Sequence, residues 1–328
     1  MTIFDLFTPV VAALATLLLI AAILSSRLGK VIQDIPNERS LHSTPIPRIG
    51  GVGLIIGVLS GWGLMFTSLT WWLTLPMVGL FIVSLFDDMH GLPVRQRLLG
   101  QIIAAAILVV GSGLLASRGI AVALTVLLLT VWMTNLYNFM DGSDGLAGGM
   151  GMFGFAFYGI AALLAHNEML AMMNFAISAA ALCFLYYNFP PARIFMGDAG
   201  SIPLGFLVAA MGLWGWQQGC WSAWFPLLVF SPFIADASVT LIKRTLRGVK
   251  ITEAHREHYY QRAILLGWSH RKLALIEYLL MLASGMVALL TLNQTFPWLI
   301  LLVCLVGYGA LMLPLDMAWN KYERGQHA

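Results

Sequence analysis

Five carboxylates, Asp87, Asp88, Asp141, Asp144 and Asp198, all fall at the same end of hydrophobic segments in this chain. An Asp in hydrocarbon costs roughly 2.5–3.5 kcal/mol even on a lenient insertion scale. Keeping so many acids at one membrane face points to a site that holds a cation together with something anionic. In the run from Asn135 to Gly149, Asn138, Asp141 and Asp144 are spaced three apart, the spacing of one face of a helical turn. Gly142, Gly145, Gly148 and Gly149 let backbone approach a ligand or a neighbouring helix closely. Oxygen ligands of this kind suit Mg²⁺, which takes one or two carboxylates and completes its shell with phosphate and water. The competing reading is a glycine-rich turn whose polar residues only cap helix ends.

Phe86-Asp87-Asp88 closes another apolar run, followed by His90, Arg95 and Arg97. Adjacent carboxylates raise each other's pKa, so one can accept a proton while the other stays ionised; alone, such a pair also fits an ordinary solvated loop. In Asn188 to Ser201, Asp198 stands between Gly197 and Gly200 just before an apolar helix. The amides of that helix start can hold an anion while Asp198 offers oxygen to a metal, or Asp198 is simply an N-cap. Thr252 to Arg262 carries His255, Arg256, His258 and Arg262, donors and cations suited to a diphosphate, or else a basic loop that attracts anionic lipid. A zinc site there lacks a nearby cysteine. The loop Asn37 to Gly51 adds Arg39, His42 and Arg48, which serve equally as topology signal and helix start. Asp236 lies within an apolar run; intramembrane ionisable residues are functional candidates, and a structural partner on a neighbouring helix is the alternative.

Of 328 residues, 59% are hydrophobic and 10% charged, with mean hydropathy +0.84. Soluble domains carry about 25% charged residues, so this is an integral membrane protein. Apolar windows place all-α spans near 7–26, 49–67, 70–86, 98–116, 120–137, 147–165, 169–187, 201–217, 222–241, 273–292 and 297–315. The stretch from Ile49 to Phe86 is cut at Thr67–Thr70, before the interfacial pair Trp71–Trp72. The first run is too long for a signal-peptide core and lacks a preceding basic region, so it reads as a retained helix. Eleven spans with the N-terminus outside and the C-terminus cytoplasmic leave only Arg118 of the 18 basic residues outside, which satisfies the positive-inside rule. All five acids then face the cytoplasm. Cys183, Cys220 and Cys304 sit in or beside separate apolar runs and read as core filler. No repeat or low-complexity tract divides the chain, so residues 1–328 read as a single membrane domain.

Taken together the loops resemble the polyprenyl-phosphate N-acetylhexosamine-1-phosphate transferase family, in the order of its motifs from about Asn37 to Arg262. The specific parts are the Asp87-Asp88 pair, Asn138-x-x-Asp-Gly-x-Asp-Gly-Leu-Ala147 and Phe195-Met-Gly-Asp-x-Gly-Ser201. The resemblance implies that Asp198 binds magnesium, with Asn138 in metal or substrate binding and Asp88 near the metal. It implies that Asp87 deprotonates the lipid phosphate, that Asp141 is a further substrate-site acid, and that Asp144 and Phe195 hold the uracil. Arg39 stands roughly where some relatives have a lysine, and His255, Arg256 and His258 form the last motif. That run, His255-Arg-Glu-His258, departs from the consecutive histidines of peptidoglycan translocases. It is closer to O-antigen initiators and argues against a muramoyl-pentapeptide substrate.

The implied reaction joins undecaprenyl phosphate and a UDP-N-acetyl amino sugar at the cytoplasmic face of a bacterial inner membrane, with Mg²⁺ or alternatively Mn²⁺. No nucleic acid is called for, and a homodimer is compatible. An ion-coupled transporter is the rival from another class, but transporter sites lie near the bilayer midplane, where only Asp236 is clearly placed. A structural scaffold would not gather acids, glycines and histidines on one face.

Overall fold

The computed structural model describes residues 3–27, 32–36, 44–249, 255–292 and 297–326. The expected substrate-site residue Arg39, and with it His42, lies outside the described residues. Backbone groups in hydrocarbon must find partners within their own segment, which makes helices of the long apolar runs. In chain order these are α1 (Thr8–Ser25), α2 (Gly50–Trp62), α3 (Trp71–His90), α4 (Val94–Gly111), α5 (Leu114–Phe139), α6 (Leu146–Leu164) and α7 (Glu168–Asn188). There follow α8 (Asp198–Gln217), α9 (Phe225–Val229), α10 (Ser231–Leu246), α11 (Tyr259–Leu265), α12 (His270–Leu290) and α13 (Pro297–Gln326). The chain is an all-α polytopic membrane protein. Among the described residues, 10 helical stretches are long and apolar enough to cross a membrane.

The expected span over 222–241 exists in two pieces, α9 and α10, broken at Phe230 (φ −95°, ψ 13°). Pro232 is the cause: it has no N–H to give the carbonyl one turn back, and its ring clashes there. Hydropathy registers only that the run is apolar. The cut between α2 and α3 falls where expected, with Leu69 and Thr70 extended between a 3-10 turn and α3. One departure from helix is a two-residue antiparallel ladder, β1 (Gln33–Asp34) with β2 (Ile46–Pro47).

Helix α8 is the hub, with 89% of its apolar window buried and α2, α3, α5 and α6 packed around it. Helix α7 joins α1, α2 and α6, while α12 packs on α6, α9 and α10. Because α8 is enclosed, its first residues are fixed from several sides, and the ends of α3 and α5 and the entry to α2 meet there. The entry to α2 is bonded to the strand-like approach to α8: Phe195 N donates to Pro47 O (2.8 Å), Gly50 N to Phe195 O (2.9 Å) and Gly51 N to Met196 O (2.8 Å). The close approach requires glycine, since a Cβ on Gly51 would run into the backbone of Gly200. Cys183, Cys220 and Cys304 are free thiols, Cys220 buried and the others half-buried.

Gly51→Val should therefore force α2 and α8 apart. Overpacking of this kind costs about 1–3 kcal/mol, and the thermal unfolding midpoint in detergent should fall. Gly79→Ala, on α3 with nothing within 4 Å of a new Cβ, should leave it unchanged or raise it slightly. Equal midpoints for Gly51→Val and wild type would mean that the contact does not constrain the bundle.

Candidate active site

Asp198 is the first residue of α8, and Gly197 before it has φ +73°. A side chain at 197 would meet Arg48 O and an Asp88 carboxylate oxygen, each at 2.8 Å, so glycine is needed for these groups to close in. Asp198 does not cap its own helix. That role falls to Asp88, whose Oδ1 accepts from Asp198 N (3.1 Å) and Oδ2 from Ala199 N (2.8 Å). A carboxylate at a helix N-terminus meets free amides and the positive end of the dipole. The anion expected at this helix start is thus supplied by the protein itself.

Around Asp198 the other groups converge. Asn138, in the last turn of α5, donates its side-chain amide to Asp198 Oδ1 (3.0 Å) and to Ser201 Oγ (2.8 Å). Asp87, in the last turn of α3, accepts from Leu92 N (2.6 Å). Two arginines tie the acids together. Arg48 lies 2.5 Å from Asp198 Oδ1 and 3.4 Å from Asp88 Oδ1. Arg97, on α4, lies 3.1 Å from Asp87 Oδ2 and 3.4 Å from Asp198 Oδ2. Asp141 stands in the field of the same groups. Burial pushes its carboxyl well above the ordinary range; Arg48 opposes that shift, and Asp198 and Asp88 add to it.

The carboxylates and Asn138 offer hard oxygen donors, the chemistry of a Mg²⁺ site. Among the described residues no three acidic, His or Cys side chains form a ready cage. Mg²⁺ does not need one, because it keeps waters and takes substrate phosphate oxygens. The donor set fits the ion, with Asp198 and Asn138 central and Asp88 beside them.

Asn138, Asp141 and Asp144 do not share a helical face. Helix α5 ends at Phe139, and residues 141–145 form a turn, because Gly142 and Gly145 disfavour helix and Gly145 adopts φ +75°. Asp144 consequently points elsewhere: Oδ2 accepts from Ala192 N (2.9 Å) and Oδ1 is 3.9 Å from His270 Nδ1. Ser143 Oγ is 2.9 Å from the same His270 nitrogen. Phe195, half-buried, lies on the segment that follows Ala192, one bond network from Arg48.

The last loop stands on different supports. Asp236 is a structural partner: its two oxygens accept from Tyr259 N (2.8 Å) and Tyr260 N (2.9 Å), the start of α11. His258, buried, has Nδ1 3.5 Å from Asp236 and its ring stacked between Phe139 and Tyr260. Tyr260 Oη donates to Phe139 O (3.0 Å), which brings this loop to the turn carrying Asp141. His255 lies 4.9 Å from His258, ring centre to ring centre. Burial, then His258 and Arg244, lower its pKa to about 4, so at neutral pH it is an uncharged hydrogen-bonding group. Arg262 is not free for a diphosphate: it is buried, 3.0 Å from Asp316 and 3.7 Å from Glu257. Glu257 is also held by Arg244 and Arg247. Arg256 is half-buried and makes no ion pair among the described residues.

Arg48, Arg97, Ser201 and His270 are thus site residues that the spacing of acids alone does not single out. The signal for Arg48 is its place two residues before Gly50-Gly51, where backbone approaches α8.

Removing the Asp236 carboxylate should strand two buried amides, at about 1–3 kcal/mol for each unsatisfied group. Asp236→Leu should lower the unfolding midpoint and speed tryptic cleavage at Arg256, and Asp236→Asn, which keeps one acceptor, should do so less. Lost activity with unchanged stability and cleavage would instead assign Asp236 to the chemistry.

Residues 70–215 match the family model described as Glycosyl transferase family 4. A probable undecaprenyl-phosphate N-acetylglucosaminyl 1-phosphate transferase of Bacillus subtilis is 31% identical, over 90% of this chain and 87% of the relative. A decaprenyl-phosphate N-acetylglucosaminephosphotransferase of Mycobacterium tuberculosis is 29% identical, over 91% and 85%. A phospho-N-acetylmuramoyl-pentapeptide-transferase of Symbiobacterium thermophilum is 32% identical, over 74% and 81%. With its motifs on the loops that meet at α8, the chain belongs to glycosyl transferase family 4 and is a membrane-embedded sugar-1-phosphate transferase of the polyprenyl-phosphate hexosamine-1-phosphate type.

Proposed function

We propose that the protein moves a sugar-1-phosphate, that of an N-acetylated amino sugar, from a UDP-sugar to undecaprenyl phosphate, and so starts an O-antigen type surface polysaccharide. The observation that carries this reading is the meeting of Asp87, Asp88, Asn138 and Asp198 with Arg48 and Arg97 at one end of a bundle of apolar helices. Such an end can receive a lipid head from the bilayer and a soluble nucleotide from water. That end faces the cytoplasm of the bacterial inner membrane, with the N-terminus outside and the C-terminus inside. Its support is the side on which the Lys and Arg residues gather. Relatives named for N-acetylglucosamine make UDP-N-acetylglucosamine the first donor to test.

In the reaction a lipid phosphate oxygen attacks the β-phosphorus of the donor. The bond from that phosphorus to the oxygen bridging the two phosphates breaks, UMP leaves with that oxygen, and undecaprenyl-diphospho-sugar remains. Asp87, oriented by Leu92 N and Arg97, takes the remaining proton of a singly ionised lipid phosphate. Asp198, Asn138 and Asp88 would hold Mg²⁺, or Mn²⁺ in its place, and the bound ion would supply positive charge to screen the diphosphate and the leaving phosphate. Arg48 and Arg97 add positive charge to the same space. Asp144 and Phe195 hold the uracil, Asp141 orders the substrate side of the turn, and His255, Arg256 and His258 close over the diphosphate as hydrogen-bond donors. A second reading keeps the chemistry and changes the donor to a muramoyl peptide, as the name of the Symbiobacterium relative suggests. A donor panel of UDP-sugars with undecaprenyl phosphate separates the two.

Activity should need a divalent cation, and Asp198→Asn, nearly the same shape, should lose most turnover while keeping the unfolding midpoint. Full turnover in EDTA, or a near wild-type Asp198→Asn, would refute the metal assignment. Asp87→Asn should be slower by about 10²–10⁴-fold at acidic pH, the usual scale for loss of a general base. The deficit should shrink as pH rises past about 6, where a phosphate monoester loses its second proton unaided. A deficit independent of pH would remove Asp87 from that role.

A further inference from the structure

We propose that Arg48 and Arg97 are place-holders for the divalent cation: they neutralise the acids while the site is empty of metal, and they release Asp198 when the ion binds, freeing their guanidiniums for the substrate phosphates. This rests on the metal-dependent transfer argued above and deepens it.

The geometry distinguishes these arginines from ordinary ion pairs. The side chains of Asp87, Asp88 and Asp198 are 8%, 2% and 8% exposed, whereas those of Arg48 and Arg97 are 40% and 37% exposed. The acids are therefore walled in by the ends of α3 and α8, and the cations reach them from the open side. Both oxygens of Asp198 are occupied, Oδ1 by Arg48 and Asn138 and Oδ2 by Arg97. Asp88 has each oxygen on a backbone amide, and Asp87 has one on Leu92 N. These backbone bonds stay in place whatever cation is present. The contacts from guanidinium nitrogen, like that from the Asn138 side-chain amide, can be given up without unwinding a helix end.

The same arginines suit what comes next. A guanidinium pairs with phosphate through two parallel N–H donors, and an incoming donor substrate brings a diphosphate along with the metal. An exchange of partners keeps the number of charge-assisted contacts nearly constant. The buried acids then never face one another uncompensated, and neither arginine is left unpaired.

The test is direct cation binding to detergent-purified, EDTA-stripped and desalted protein, read by Mn²⁺ electron paramagnetic resonance without substrate. Each arginine competes with the ion for Asp198, so Arg48→Gln and Arg97→Gln should bind Mn²⁺ about tenfold more tightly than wild type. Arg48→Lys, which keeps the charge, should remain close to wild type, and Asp198→Asn should bind far more weakly. Mn²⁺ should also raise the unfolding midpoint of the Gln variants more than that of wild type, because their acids lack a counter-charge without it. In turnover the Gln variants should need less Mg²⁺ for half-activation yet show a lower kcat at saturating Mg²⁺. A structural role alone would not move those two quantities in opposite directions. Unchanged or weaker Mn²⁺ binding in both Gln variants overturns the exchange and leaves the metal-dependent reading standing. Absence of Mn²⁺ binding in wild type and variants alike overturns both. Should Arg48→Gln fail to fold even with Mn²⁺, Arg97→Gln and Arg48→Lys decide the matter.

Discussion

Three buried carboxylates around the first turn of one enclosed helix set the terms for the rest of this molecule. At about 4 Å and an effective dielectric near 20, two unit charges interact by about 4 kcal/mol. Uncompensated repulsion among Asp87, Asp88 and Asp198 would be comparable to the whole stability of a domain, about 5–15 kcal/mol. The protein meets this constraint in two ways. The amides at the start of α8 and after α3 absorb part of the charge, and Arg48 and Arg97 absorb the rest. Both depend on the packing: α8 must be held on every side, and the α2 entry must come close enough for Arg48 to reach Asp198. The glycines at 51, 197 and 200 permit that approach.

A similar device recurs at the last loop. Asp236 on α10 receives the amides at the start of α11 as Asp88 receives those of α8. In both places a carboxylate on an earlier helix fixes where a loop re-enters helical structure. The consequences differ because of what lies alongside. Beside Asp88 stand other acids and exposed arginines, a polarised site with exchangeable partners. Beside Asp236 stand stacked rings, and the nearby cations Arg244 and Arg262 are buried against Glu257 and Asp316. The first arrangement can do chemistry, whereas the second holds His255 and His258 in place.

Much of this was legible in the sequence because the physics is one-dimensional. Hydrophobic length reveals the spans, and the acids mark the end at which polar chemistry gathers. The motif residues Asp87, Asp88, Asn138 and Asp198 do meet. What was not legible depends on backbone direction at a few points. The turn at Gly142–Gly145 breaks the three-residue spacing and sends Asp144 toward Ala192 and His270, away from Asn138. Pro232 divides an apolar run that hydropathy treats as continuous. Arg48 and Arg97 read as topology signals, since the same residue type serves orientation and charge neutralisation, and only the fold shows which acids they touch.

That double use of arginine bears on how such a site can exist at a membrane boundary. A cluster of acids waiting for a metal would have to be desolvated and charged during folding, before any ligand is present. Arginine solves the problem because its guanidinium stays protonated at every physiological pH, is only weakly hydrated, and can pair with carboxylate and phosphate through the same fork of donors. Lysine would neutralise the charge but could not reproduce that planar pairing with either partner. Of the two basic residues that reach Asp198, Arg48 does so from just before α2, where the backbone is bonded to the approach to α8, and Arg97 from the first turn of α4.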